Sequence, residues 1–491
     1  MSAPEKVGAY RPAEGRRDAL RLTGGRLGVD DVVAVAAGTC GVVVPDTAWE
    51  RVAEGHRRMT AARERGAVYG ANTGVGANKR DFVEDSGALA LRLWRSHCAG
   101  VGKVLDPEVT RAAMTIRLNQ LLMGRSGVGV PLVRGLADAV ACERLPVLHE
   151  LGGLGTGDIA QLAELALTLV GERPWLDGGD QWGIAPVQAA ETDGLPFMSS
   201  NAVTLAGAAL AVREAEALLR AVEQVAGVSC LGLSGFTDAW DQRVHASRPE
   251  SAQSQVAMRL RDAVIDRPRP GGRVQDGFGL RVLSAVLGSA WEAVTRLREA
   301  VETECSTPSE NPLVLDDGVR HHGLFHLASV SGLLDHVRRE LTQVMALAAA
   351  RVTMLADPNT NGQYAFCSDG VPGSSGLMIG EYVVTDALAS MRTLSASTAA
   401  PVSISMGVEN HASFATQGVR KLRQLLEMAW WVVAVEALSA VRCLRPDAVH
   451  VAPCPALEVF AELDAVVDPD RSDHTLDLDL NAVLGVLRRR Q

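Results

Sequence analysis

Apolar residues recur at helical spacing along most of the chain, and the alternation that marks β-strands is almost absent. Long amphipathic stretches predict helices over residues 280–304, 326–355, 379–398 and 412–444. Several of these are about twice as long as an average globular-protein helix of about eleven residues, so they must cover one another. The pattern therefore predicts an all-α fold dominated by a bundle of long helices.

Shorter helical patterns alternate with glycine-rich loops in the first part of the chain. They predict helices over residues 30–37, 46–64, 91–124 with an interruption at 100–102, 159–170 and 202–227. We expect three parts: a partly disordered segment over 1–30, a smaller loop-rich region over 31–200, and a helical bundle over 201–491.

Composition and charge narrow the class of protein. The chain has 491 residues, of which 47% are hydrophobic and 4% aromatic, and its net charge of −10 argues against a nucleic-acid-binding surface. Eight cysteines occur without a C-x-x-C pair, so neither a zinc site nor a disulfide framework is indicated. No apolar signal core is present, and the most apolar run near the C-terminus is interrupted by Glu436. We expect a cytoplasmic protein without a membrane span, a metal or a nucleic-acid partner.

A glycine-rich stretch, Gly152-Gly-Leu-Gly-Thr-Gly-Asp158, leads directly into the helix predicted over 159–170. Its four glycines permit positive φ angles and close backbone approach. Taken alone, such a stretch is more often a capped turn than a reactive site. Two other polar residues have the same ambiguity: Tyr69 beside a glycine-rich loop, and His97 on a predicted helix.

Eight motifs in register are similar to those of the histidine ammonia-lyase family, which includes the phenylalanine and tyrosine ammonia-lyases and aminomutases. The motifs are Tyr69-Gly-Ala-Asn-Thr-Gly-Val-Gly76, Ser96-His-Cys-Ala-Gly-Val-Gly102, Arg117-Leu-Asn119 with Gly124-Arg-Ser-Gly127, Gly155-Thr-Gly-Asp158, Arg243-Val-His-Ala-Ser-Arg-Pro249, Val274-Gln-Asp276 with Leu280-Arg281, Glu310-Asn-Pro-Leu313 and Glu409-Asn-His411. The resemblance extends from about residue 31 to residue 448. It implies a homotetramer of long helices that eliminates the α-amino group of an aromatic amino acid to leave an acrylate.

The resemblance also implies roles for individual residues. Tyr69 is similar to the base that removes a β-proton, for which its pKa must fall well below the usual value of about 10. Arg281 resembles the arginine that pairs with the substrate carboxylate. Further members of the implied pocket are Asn311, Phe325, His97 and Glu409. The last two resemble residues that accompany a histidine substrate, and a buried carboxylate facing a phenyl ring would be unpaired, so we expect a polar substrate ring.

The departures from the family pattern all affect one chemical function, the electrophile that the family forms from three residues of its own chain. The family normally has Ala-Ser-Gly where this chain has Gly155, Thr156 and Gly157, and that tripeptide cyclises and dehydrates into a methylidene-imidazolone electrophile. The extra methyl group of Thr156 would sit on the carbon that accepts the substrate amine. Ser199 replaces an asparagine that orients the imidazolone, unless the alignment shifts by two residues to Asn201. Phe278 replaces a second tyrosine.

These departures leave three hypotheses. The first is a carbon–nitrogen lyase that acts on a histidine-like amino acid, and we expect it to work without the imidazolone. It would then resemble relatives such as ergothionase, which expel trimethylamine from a betaine. The second is an ordinary ammonia-lyase or aminomutase with an electrophile derived from Thr156. The third is a catalytically silent binding protein. No external cofactor is expected in any of them.

Overall fold

A computed structural model describes residues 17–83, 88–178, 185–265, 274–398 and 401–490. The strands are Arg17–Arg21 (β1), Cys40–Val43 (β2), Val101–Val104 (β3), His149–Leu151 (β4), Leu313–Leu315 (β5) and Gly318–Arg320 (β6). They form three two-stranded sheets, parallel for β1 with β2 and antiparallel for β3 with β4 and for β5 with β6.

Helices make up most of the described chain. Those of the first half are Val29–Ala36 (α1), Asp46–Arg65 (α2), Leu89–His97 (α3), Pro107–Leu121 (α4), Val130–Ala141 (α5), Ile159–Leu169 (α6), Gly194–Met198 (α7), Ala202–Gly232 (α8) and Gln242–His245 (α9). Those of the second half are Ala252–Ala263 (α10), Phe278–Arg281 (α11), Leu283–Cys305 (α12), Ala328–Ala356 (α13), Pro358–Asn361 (α14), Met378–Arg392 (α15), Ala415–Leu444 (α16), Pro455–Asp464 (α17) and Asp477–Arg489 (α18). The predicted all-α class with long helices is confirmed.

In two places of the first half, the structure has a short strand that the sequence did not predict. The helix predicted over 91–124 with an interruption at 100–102 is interrupted there: α3 and α4 are separated by strand β3, where Gly102 has a φ of +91°. The predicted disordered segment 1–30 contains strand β1 and the first residues of α1, and its residues 1–16 lie outside the described part of the chain. In both places a short strand pairs with a segment further along the chain.

The described residues form two compact units. Unit 1 comprises residues up to 213 together with 298–332 and 397–420, and unit 2 comprises 214–297, 333–396 and 421–490. The sequence suggested a boundary at residue 200, whereas unit 1 continues to residue 213 and also includes two later segments of the chain. Helix α4 of unit 1 is buried on every face, since Met114, Ile116 and Leu118 are all 0% exposed, and it therefore lacks the polar face that usually marks a surface helix.

A buried ion pair in unit 1 fixes two segments that carry candidate site residues. Arg117 Nη1 donates to Glu310 Oε1 at 2.7 Å, and both side chains are 0% exposed. The same guanidinium donates from Nη2 to Pro196 O at 2.7 Å and from Nε to Phe197 O at 3.0 Å. Arg117 thus joins the chain just before Ser199 to the residue just before Asn311.

Two helical segments, Gly194–Gly232 and Ala415–His450, are long and apolar enough to cross a membrane by length and composition alone. In the structure, 94% and 78% of their most apolar windows are buried. Such burial is typical of helices that form a protein core.

Candidate active site

A cavity of about 480 Å³ lies in unit 1 and contains six of the residues that the sequence singled out. These six are Tyr69, Thr156, Ser199, Asn311, Phe325 and Glu409. The remaining wall residues are Gly76, Lys79, Ile159, Leu195, His321, His326, Val408, Asn410 and His411. The cavity therefore combines an apolar side with several titratable groups, a composition suited to a small polar ligand.

The tripeptide over residues 155–157 is held in place by three hydrogen bonds. Ser413 Oγ and Leu327 N both donate to Gly155 O, at 2.7 and 3.2 Å. Gly157 N donates to Asn201 Oδ1 at 2.9 Å. Both glycines have positive φ, +75° at Gly155 and +121° at Gly157, which favours glycine over any residue with a Cβ. A Cβ at Gly155 would lie 2.1 Å from Ser413 Oγ, so this position accepts no larger residue without rearrangement.

Asp158 anchors the end of this loop to the start of α8. Its Oδ1 accepts from Thr204 Oγ1 and its Oδ2 from Thr204 N, both at 2.7 Å. Its own amide donates to Ser200 O at 2.6 Å. Burial raises the pKa of this carboxyl group to about 6, against the lowering effect of the bonds from Thr204. The Asp158 side chain thus fixes the loop through α8 and not by capping α6.

Tyr69 places its hydroxyl in the cavity but lacks the environment of a base. Its hydroxyl oxygen accepts a hydrogen bond from Gly76 N at 2.7 Å. Burial raises the Tyr69 pKa, the Glu409 carboxylate raises it further, and the bond from Gly76 opposes both. The lowered pKa that a basic role requires is therefore not supplied by this chain alone.

Ser199 and Asn201 have different functions in the structure. Ser199 Oγ accepts from Asn311 N at 3.1 Å, whereas Asn201 Oδ1 accepts from Gly157 N of the tripeptide. Asn201 Nδ2 also donates to Phe325 O at 2.6 Å. The tripeptide contact expected of Ser199 is therefore made by the residue two positions later.

The cavity wall includes His321, His326 and His411, of which the motifs contained His411 alone. His326 Nε2 and His411 Nδ1 are 2.9 Å apart and share a hydrogen bond. Burial, and then His411, lower the pKa of His326. His321 lies edge-on to Tyr69, with ring centroids 6.2 Å apart. The signal available in the sequence was the density of histidine, with His321, His322 and His326 inside six residues.

The cavity does not include His97, Phe278 or Arg281 among its lining residues. His97 lies in the last turn of α3, where its Nδ1 is 2.8 Å from Leu93 O. Phe278 and Arg281 belong to α11 of unit 2, where the Arg281 guanidinium carbon lies 4.6 Å from the Phe278 ring centroid. Phe278 is 61% exposed.

Comparison with known proteins places this geometry in a family. The sequence profile of the aromatic amino acid lyases matches residues 27–462. The chain belongs to the aromatic amino acid lyase family. It is therefore a carbon–nitrogen lyase, of the ammonia-lyase or aminomutase type.

Relatives of this family member match over nearly its whole length. It is 29% identical to a histidine ammonia-lyase of Bacillus subtilis (strain 168), covering 96% of each chain. It is 30% identical to a histidine ammonia-lyase of Shouchella clausii (strain KSM-K16), covering 95% of this chain and 97% of that one. Among solved structures, the ergothionase of Treponema denticola, described as an ergothioneine-degrading enzyme, superposes with a TM-score of 0.90 at 25% identity, covering 96% of this chain and 99% of that one.

Proposed function

We propose that this lyase eliminates the amine from a histidine-like amino acid, leaving an acrylate, and that it does so without a methylidene-imidazolone. The observation that carries the proposal is the set of three hydrogen bonds on the tripeptide. The histidine ammonia-lyases among the relatives and the ergothionase among the structural neighbours support the substrate class.

Cyclisation of residues 155–157 would remove the atoms that these hydrogen bonds use. The amide of Gly157 would attack the carbonyl carbon of Gly155, so the Gly155 oxygen would leave as water and the Gly157 amide would lose its hydrogen. Ser413, Leu327 and Asn201, which are 3%, 1% and 1% exposed, would lose these bonds. A buried polar group left without a partner costs about 1–3 kcal/mol, so the residues around the tripeptide do not fit the cyclised group.

The polar character of the cavity supports a polar substrate ring. Glu409 lies among the wall residues together with His326 and His411. Glu409 is exposed in the single chain, and an imidazole N–H offers its carboxylate a donor, whereas a phenyl ring offers none. The proposed substrate is therefore an amino acid, or its N-methylated betaine, that carries an imidazole.

The elimination balances without an electrophile when the amine leaves on its own. The Tyr69 phenolate takes the β-hydrogen as a proton and becomes the neutral phenol, the C–H electron pair forms the Cα–Cβ double bond, and the amine departs with the electrons of its bond to Cα. A quaternary amine leaves as a neutral trialkylamine and is the better leaving group. We therefore propose that the preferred substrate has an N-methylated amine.

Intact mass and substrate preference together test the proposal. We expect the unmodified mass of the 491-residue chain, with no loss of two water molecules, because the tripeptide stays linear. We also expect trimethylamine release from histidine betaine to be at least about a hundredfold faster than ammonia release from histidine. Absorbance of the acrylate product measures both reactions.

Thr156→Ala supplies the matched control, since alanine cannot dehydrate to an electrophile. The variant should have the mass that its own unmodified sequence gives. Its activity on the betaine should stay within about threefold of that of the native protein. Rapid urocanate release from histidine, a mass lower by two waters and an inactive Thr156→Ala variant would contradict the proposal. Those results would establish the second candidate, an ordinary ammonia-lyase with a threonine-derived electrophile. One observation favours that candidate: the two donors on Gly155 O would polarise this carbonyl for attack.

We further propose that the active form is a homotetramer. Helix α15 exposes a cluster of apolar side chains, and Ile379 and Tyr382 are 54% and 67% exposed, which is typical of a surface covered by a partner. The single chain raises the pKa of Tyr69, so a basic role for this residue requires a cation that another subunit would contribute. Light scattering should give four times the chain mass, and Tyr382→Glu should lower the assembly state and the activity together. A monodisperse monomer with full activity would exclude the tetramer.

A further inference from the structure

The short helix α11 of unit 2 carries Arg281, the residue to which the family resemblance assigns the substrate carboxylate in the proposed lyase reaction. Helix α11 has four residues and ends at Arg281, and Val282 alone separates it from α12, which begins at Leu283. So short a helix has little stability of its own, because nucleation fixes several dihedral angles for each hydrogen bond gained. The position of Arg281 therefore depends on α12, which follows directly, and on contacts that other elements make with α11.

A buried guanidinium provides one such contact. Arg351 Nη1 donates to Gly279 O at 3.0 Å, and this carbonyl belongs to the middle of α11. The same guanidinium donates from Nε and Nη2 to the two carboxylate oxygens of Glu436, at 2.6 and 2.8 Å. Ser229 Oγ donates to Glu436 Oε1 at 2.7 Å. Both charged side chains are 0% exposed, so the guanidinium uses its fork to join α11 to α16.

The backbone of α11 lies directly against Arg351. A Cβ added at Gly279 would be 2.9 Å from Arg351 Cγ and 3.1 Å from Met354 Sδ, so no side chain separates α11 from α13. The segment before α11 is fixed as well, because Asp276 Oδ2 accepts from Phe236 N at 2.6 Å. Hydrogen bonds therefore fix both α11 itself and the segment just before it, and Arg281 is the last residue of α11.

We propose that Arg351 is a positioning residue for Arg281, an inference that rests on the proposed function. Arg351 is fully buried and so acts through the turn, not by touching substrate. A bidentate arginine–carboxylate pair requires the guanidinium to be held in a defined plane and position. Arg351 sets that position by fixing Gly279 O, and the Arg281 guanidinium carbon lies 4.6 Å from the centroid of the Phe278 ring.

Binding of an acid and its ester tests this inference separately from stability. The probes are urocanate and urocanate methyl ester, whose dissociation constants are measured by calorimetry. In the native protein we expect the acid to bind at least about thirtyfold tighter than the ester, and Arg281→Met should remove that preference. Arg351→Lys keeps the charge but not the fork, so it should weaken acid binding about tenfold and leave ester binding within about twofold.

Two further variants control for general damage to the fold. Arg351→Met combined with Glu436→Leu removes the buried pair without leaving an unpaired charge, so it should fold and still lose the acid preference. Arg442→Lys is the matched control, since Arg442 is also buried in unit 2 but contacts His474 and Asp479 instead of α11. It should keep the native acid preference.

The outcomes separate the inference from the proposed function. An acid preference that Arg281→Met removes but neither Arg351 variant changes overturns the role of Arg351 and leaves the proposed function standing. A native protein with no acid preference, or with no binding of either probe, overturns the assignment of Arg281 and the inference with it. Equal weakening of acid and ester in Arg351→Lys identifies Arg351 as a purely structural residue.

Discussion

Replacing Tyr69 by phenylalanine is expected to lower kcat for elimination by about three orders of magnitude and to change KM by less than about threefold. The hydroxyl is the atom that takes the β-hydrogen in the proposed reaction. The ring lies edge-on to His321, and phenylalanine preserves this packing. The loss should therefore appear in the chemical step and not in binding.

Tyr364→Phe is the matched control, because Tyr364 is a 60% exposed tyrosine of unit 2. Steady-state kinetics of the betaine reaction, together with urocanate binding, distinguish the possible roles of Tyr69. Unchanged kcat in Tyr69→Phe would remove this residue from the mechanism. A parallel loss of urocanate binding would make it a packing residue.

Replacing Arg117 by methionine is expected to destabilise the protein by about 3–5 kcal/mol, because it leaves the Glu310 carboxylate buried without its charged partner. Both side chains are 0% exposed. The variant also frees the carbonyls of Pro196 and Phe197, which precede the cavity residue Ser199. Loss of stability should therefore be accompanied by weaker urocanate binding.

Denaturant unfolding measures this effect. Combining Arg117→Met with Glu310→Leu should recover much of the lost stability, since the unpaired charge is then gone. Arg296→Met breaks an exposed pair with Glu292 and should cost at most about 1 kcal/mol. A similar small cost for Arg117→Met would show that the buried pair contributes little to the fold.

The long helices were predictable because their apolar spacing is repeated over many turns. The predicted 412–444 helix and the observed α16 share the same C-terminal residue, Leu444. The sequence did not predict strand β3, because its four residues show no alternation of apolar and polar positions. Its pairing with β4, about fifty residues later, makes it a strand. Non-local hydrogen bonding of this kind has no local sequence signal.

The sequence located Tyr69, Thr156 and Glu409 in one site, because motif resemblance transfers residue by residue. It did not decide between Ser199 and Asn201, since that choice depends on how the chain turns between α7 and α8. The motifs also could not predict the direction in which the pKa of Tyr69 is shifted. It follows from burial and from Glu409, which is distant in sequence.

The contact between Gly155 and Ser413 also constrains how this protein can evolve. An alanine at position 155 would meet Ser413 Oγ at 2.1 Å and the backbone nitrogen of Ala415 at 2.7 Å. Substitution of Gly155 alone is therefore unfavourable, and Ser413→Gly alone would remove a hydrogen bond from the Gly155 carbonyl. Since the Ala415 contact comes from the backbone, no single side-chain change removes it. An alanine at position 155 thus requires a change at Ser413 together with a shift of the backbone at Ala415, so the neighbours of this position keep it a glycine.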